Sequence, residues 1–129
     1  MSEYPTDLRY TDEHEWVRAD GARWRVGITK FAATQLGDVV FVELPKVGDT
    51  LERGQSFGSI ESVKAVSEMY APVGGKIVAV NEQVRDEPEL INTDSYGAGW
   101  IIELEPSDRA ELDGLKTADA YQAFVAAES

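Results

Sequence analysis

Apolar positions along the chain fall into short runs with loose alternation, closely punctuated by turn residues, and this pattern predicts a mostly β protein. Trp16-Val17-Arg18 and Trp24-Arg25-Val26-Gly27-Ile28 flank the turn formers Ala19-Asp20-Gly21-Ala22, a hairpin signal. Thr29 is placed to cap a short helix over residues 31–36, with Gly37 to end it. Residues 38–44 read as a strand before Pro45 and Gly48 turn the chain. Phe57-Gly58-Ser59-Ile60 leads up to Lys64, and residues 65–70 lead away from it. Pro72, Gly74 and Gly75 then turn into a strand over residues 76–80. Strands this short suggest a sandwich or a flattened barrel.

A short internal echo accompanies these strands. Pro45-Lys46-Val47-Gly48-Asp49-Thr50-Leu51 resembles Pro72-Val73-Gly74-Gly75-Lys76-Ile77-Val78, as two similar half-motifs facing each other would. The last third changes character. Pro88-Glu89-Leu90-Ile91-Asn92 reads as a helical turn and Trp100-Ile101-Ile102-Glu103-Leu104 as a strand. Ser107 and Thr117 are placed as amino-terminal caps of two helices. In the second of these, Tyr121, Phe124 and Val125 share one face, which should pack on the sheets. The fold expected is α+β, mainly β, with a core supplied by Trp16, Trp24, Val39, Phe41, Ile60, Ile77 and Ile101.

With 129 residues the chain has room for one domain, taken as 1–129 with a helical extension over 107–129. No apolar run approaches the roughly 18 residues of a membrane span. Met1-Ser2-Glu3-Tyr4-Pro5 shows neither a signal peptide nor an Arg-rich leader, so a cytoplasmic, bacterial location is expected, mitochondrial only if a leader has been removed. The net charge of −12 would repel phosphate backbones, which argues against nucleic acid. It suits solubility and steering toward partners with basic docking surfaces. Cysteine is absent, which removes disulfides, thiolate zinc sites and cysteine nucleophiles. Any dithiol chemistry must come from an attached group.

Lys64 is a candidate to carry chemistry, against the plainer reading of an ordinary solvated lysine on a turn. A strand climbs to it through Gly58-Ser59-Ile60-Glu61-Ser62-Val63, and Ala65-Val66-Ser67-Glu68 descends, leaving room only for a tight turn with the lysine near its tip. A charged amine is costly to bury, so it should stand in water, open to a modifying enzyme. His14 is the only histidine and lies between Glu13 and Glu15. Without a second His or a Cys it makes a poor metal site, so no metal is expected and a structural or capping role is favoured.

Glu61-Ser62-Val63-Lys64-Ala65 followed by Ser67 resembles the lipoylation motif of glycine cleavage H proteins. His14-Glu15-Trp16-Val17, Val26-Gly27-Ile28-Thr29, Leu36-Gly37-Asp38-Val39-Val40 and Glu43-Leu44-Pro45 match that family in order. So do Pro88-Glu89-Leu90-Ile91-Asn92 and Tyr96-Gly97-Ala98-Gly99-Trp100, and the resemblance covers about residues 9–104. One departure is Ser95, where the family usually has proline, which leaves the geometry of that turn open.

The resemblance implies a hammerhead, lipoyl-domain-like barrel-sandwich of two small antiparallel sheets with short helices, one of them carboxy-terminal. It implies a carrier rather than an enzyme, without catalytic residues of its own, bearing lipoate on Lys64. The arm would take the aminomethyl group of glycine from glycine decarboxylase, a pyridoxal-phosphate enzyme. It would pass that group to a tetrahydrofolate-dependent aminomethyltransferase and be reoxidised by dihydrolipoyl dehydrogenase. A lipoate-attaching enzyme completes the partner set, and no membrane is involved. Glu15 and Glu68 match family motifs and are candidates to hold the cationic amine in a cleft, against the plainer reading of each as one of 24 acidic surface charges.

The alternatives are a lipoate relay protein and a lipoyl or biotinyl domain of another swinging-arm complex. Biotin carriers usually place methionine on both sides of the lysine, and lipoyl domains commonly place aspartate before it. Here Val63 and Ala65 stand in those places.

Overall fold

The computed structural model describes residues 4–128. Nine strands form two antiparallel sheets that face each other without closing into a barrel. The larger sheet has the order β1 (Arg9–Tyr10), β2 (Glu15–Asp20), β3 (Arg23–Ile28), β9 (Ile102–Pro106), β8 (Gly75–Val80) and β5 (Thr50–Leu51). The smaller has the order β4 (Val39–Glu43), β6 (Ser56–Ser62) and β7 (Val66–Tyr70). The fold is thus α+β and mainly β, as the alternation predicts.

The first hairpin forms because Gly21 takes φ 67°, a conformation open to glycine, which lets Asp20 pair with Arg23 across a two-residue turn. Thr29 caps α1 (Lys30–Leu36) as expected, its hydroxyl accepting from the Ala32 amide. Gly37 ends the helix with φ 83°. The two segments of the internal echo meet, since β5 pairs with β8 through Thr50 opposite Lys76 and Leu51 opposite Gly75.

Alternation along the strands puts one set of side chains between the sheets. Val26, Ile60, Ile77, Ile101, Ile102 and Leu104 are among the buried members, and Trp24 and Val39 join them. Phe41 does not, although it was expected in the core: it is 49% exposed. A bulge between Val39 and Phe41 shifts the register against β6, so Val40 and Phe41 both face outward and Val42 turns in. Trp16 belongs to a second, smaller cluster with Tyr4, Leu8, Tyr10 and Tyr121.

Three further differences have local causes. Asn81 caps an additional short helix, α2 (Glu82–Asp86), whose amphipathic signal is too brief to read by periodicity. The strand expected from Trp100 begins at Ile102, because the Trp100 carbonyl accepts from the Asn81 side-chain amide at 2.7 Å. After β9, Asp108 rather than Ser107 caps the next turn, a 3₁₀ segment over Arg109–Gly114, through the Ala110 amide. The expected helical turn is α3 (Leu90–Thr93). Thr117 caps α4 (Ala118–Glu128) by accepting from the Ala120 amide. Tyr121 and Val125 of α4 are buried against Tyr10 of β1 and against Trp16, and Phe124 packs on that cluster.

Candidate functional site

Lys64 stands at the tip of the β6–β7 hairpin and is exposed. The turn is held from within by Ser62, whose hydroxyl accepts from the amides of Lys64 at 3.3 Å and Ala65 at 3.1 Å. The Ser62 amide donates to the Ala65 carbonyl at 2.8 Å. From outside, the Val63 amide donates to the Asp38 carbonyl at 3.1 Å, tying the tip to the segment between α1 and β4. Asn92 fixes that segment: its side chain donates to the carbonyl of Gly37 at 2.9 Å and accepts from the amide of Val39 at 2.9 Å. Cε of Lys64 lies 3.4 Å from where a Cβ on Gly37 would stand, an ordinary contact distance, so the lysine stem lies along the end of α1. Val63 and Val66 beside it are also exposed, at 68% and 67%.

A cleft of about 520 Å³ runs between α1 and β7 toward the start of β2. Its walls include Phe31, Leu36, Ile60 and Met69, and its polar lining includes Glu13, His14, Glu15, Glu68 and Glu128. The two candidate acids therefore face the same cleft, but their surroundings differ. Glu68 is exposed and accepts from the Ser56 hydroxyl at 3.1 Å. Glu15 is 2% exposed. Its carboxylate accepts from the Thr11 hydroxyl at 2.6 Å and from the Tyr70 amide of β7 at 3.2 Å. Burial pushes its pKa up to about 7, against the opposing pull of those two hydrogen bonds.

His14 closes the far end. Its Nδ1 lies 2.7 Å from the Tyr121 hydroxyl and its Nε2 lies 3.3 Å from the Glu128 carboxylate. The Tyr121 hydroxyl also meets the Thr29 hydroxyl at 2.8 Å, so one chain of contacts links the residue before β2, the cap of α1 and α4. His14 adopts φ 70°, costly for a residue with a side chain and held by a tight turn in which its amide donates to the Thr11 carbonyl. This is the structural role expected of it. Thr11 and Tyr70 escaped the sequence reading, and Asn92 entered it only as part of a helical turn, because their partners lie across turns or in distant strands and no local pattern announces these bonds.

Ser95 is buried. Its hydroxyl donates to the Ile91 carbonyl at 2.6 Å and its carbonyl accepts from Trp16 Nε1 at 3.0 Å, so the serine secures the turn by side-chain bonding. Among the described residues, no helix is long and apolar enough to cross a membrane.

A family model described as glycine cleavage H-protein matches residues 8–128. A glycine cleavage system H protein of Listeria monocytogenes (strain HCC23) is 59% identical over 118 residues, covering 92% of this chain and 94% of its own. One from Anaeromyxobacter sp. (strain K) is 58% identical over 123 residues, covering 95% and 96%. The crystal structure of a glycine cleavage system H protein from Mycobacterium marinum superposes with TM-score 0.85 at 43% identity, over 97% of this chain and 98% of that one. An exposed lysine on a buttressed hairpin, beside an apolar cleft with an acidic end, thus sits within a match along nearly the whole chain: the protein belongs to the glycine cleavage H-protein family, the lipoyl carriers of the glycine cleavage system.

Proposed function

We propose that Lys64 is the lipoylated residue and that the chain acts as one carrier domain serving glycine decarboxylase, aminomethyltransferase and dihydrolipoyl dehydrogenase. The observation that carries this reading is the placement of Lys64 at an exposed tip held by Ser62 and Asp38, next to a cleft of matching character. The residues fit the group. Phe31, Leu36, Ile60 and Met69 offer an apolar bed for a hydrocarbon chain, and Glu15 and Glu68 offer a negative end for an amine. When attached, lipoate would supply a disulfide that opens to two sulfurs, one bearing the aminomethyl group between the enzymes of the system and the other a thiol.

The chain's own residues do the rest. Ser62 and Asn92 hold the hairpin so that the lysine projects in one direction. The apolar walls lower the local dielectric and keep water from a docked group. Glu15, whose carboxyl burial holds well above the ordinary carboxylate range, gains negative charge when a cation enters the cleft, because a nearby positive charge lowers a carboxyl pKa. The net charge of −12 favours encounter with partners that present basic surfaces.

The test is modification followed by turnover. Incubation with lipoate and a lipoate-attaching enzyme should add a single lipoyl mass, mapped to Lys64. The modified protein should then support glycine–bicarbonate exchange by glycine decarboxylase. Modification of Lys46 or Lys76, or exchange that is indifferent to Lys64→Arg, would overturn the reading.

A further inference from the structure

The outer face of the larger sheet holds a cluster that the carrier role does not use. Arg18 of β2 lies directly opposite Arg25 of β3, and Arg25 lies opposite Glu103 of β9. Residues opposite each other in antiparallel strands project to the same side, so these three form a row across the sheet, with Arg23 two positions along β3 on the same side. Together they line a cavity of about 350 Å³ that shares no residue with the cleft beside the hairpin.

Like charges directly opposite each other disfavour a sheet. Glu103 relieves only part of this: it accepts from Arg25 Nε at 2.7 Å and lies 3.9 Å from Arg23 Nη1. Among the described residues Arg18 has no acid of its own. One of its Nη atoms donates to the Tyr96 carbonyl at 3.2 Å, while its Nε is buried without an acceptor. Two of the guanidiniums are fixed by aromatic rings, Arg18 over Trp16 at 5.7 Å and Arg25 over Trp100 at 4.7 Å. Departures from the usual rules of sheet pairing and donor satisfaction thus coincide at one place, and such coincidences mark functional sites.

We infer that Arg18, Arg23 and Arg25 form a binding site for a compact phosphate dianion. Of the four residues that line the cavity, three are guanidiniums and one is a carboxylate, a local excess that a dianion held within the cavity neutralises, and planar forks suit phosphate oxygens in pairs. Arg23 and Arg25 are 64% and 45% exposed, so their forks are reachable. The size of the occupant follows from charge. A chain carrying −12 repels an extended polyanion, whereas a small ion within one Debye length, about 8 Å, meets chiefly the local positive field. The ligand is a phosphate group, either free or borne by a small molecule.

The full chain should be titrated with inorganic phosphate, glycerol 3-phosphate and a hexaglutamate peptide at constant ionic strength. Trp fluorescence and Arg side-chain NMR would report binding at Trp100 and Arg25. Saturable binding of either phosphate should weaken at least tenfold in Arg25→Gln and at least threefold in the more exposed Arg23→Gln. Tighter binding of the ester assigns the site to a phosphorylated small molecule, and equal binding assigns it to the free ion. A linear response, equal affinity in both variants, or binding of the peptide alone would overturn the inference.

Discussion

The Thr11 hydroxyl and the Glu15 carboxylate are joined at 2.6 Å across a turn of four residues, and the same carboxylate reaches the Tyr70 amide on the opposite sheet. Glu15 is therefore a polar bridge between the sheets as well as a lining group of the cleft. Its two donors favour the ionised form, and its burial favours the neutral one. Burial prevails, which leaves a carboxyl that changes charge near neutral pH.

Thr11→Val removes the shorter bond while keeping the side chain's shape. A hydrogen bond to a charged group contributes about 1.5–3 kcal/mol, equivalent to roughly one to two pH units. The Glu15 carboxyl should then titrate at least about one unit above its position in the parent, as followed by side-chain carboxyl NMR.

Glu15→Gln should flatten part of the dependence of stability on pH. With a folded pKa near 7 against an ordinary 4.5, the folded protein binds the Glu15 proton more tightly than the unfolded chain does. That contribution is therefore fully present below about pH 4.5, declines as pH rises, and is lost above about 7. The variant should be more stable than the parent at pH 8 by about 1–3 kcal/mol and nearly equal to it at pH 4. Urea unfolding at several pH values, compared between the two proteins, checks the difference.

Much of this was legible in the sequence, and the limits have identifiable causes. The first hairpin, α1 with its Thr29 cap, and the hairpin bearing Lys64 rest on local signals, and local signals survive folding. Phe41 was misplaced because a bulge resets the alternation from which burial is read, and nothing in Val39-Val40-Phe41-Val42 reveals where the extra residue falls. Glu15 and Glu68 look alike as isolated letters. Only the tertiary fold buries one and exposes the other.

Lys64→Arg should leave stability within about 0.5 kcal/mol of the parent, because the side chain is exposed and the turn is bonded through Ser62. The same variant should take up no lipoyl group. Thermal unfolding and intact mass together check both halves.

Asn92→Ala should cost about 1–3 kcal/mol, since the Gly37 carbonyl and the Val39 amide lose their side-chain partner. The loosening should reach the hairpin through Asp38, so exchange at the Val63 amide should accelerate at least tenfold. Urea denaturation and hydrogen exchange read the two effects. Faster exchange confined to α3 would argue that the tip is held independently.

The bulge in β4 has a consequence for how the molecule behaves in a crowd of its own kind. β4 is an outer strand of the three-stranded sheet, and Val40 and Phe41 stand in solvent, 48% and 49% exposed. A flat strand of that composition would be a template on which another chain's strand could add. The extra residue breaks the even spacing of amides and carbonyls that such growth requires, and the like charge of each copy discourages approach. Straightening β4 by deleting Val40 would restore the even ladder and turn a carrier into a chain prone to self-assembly.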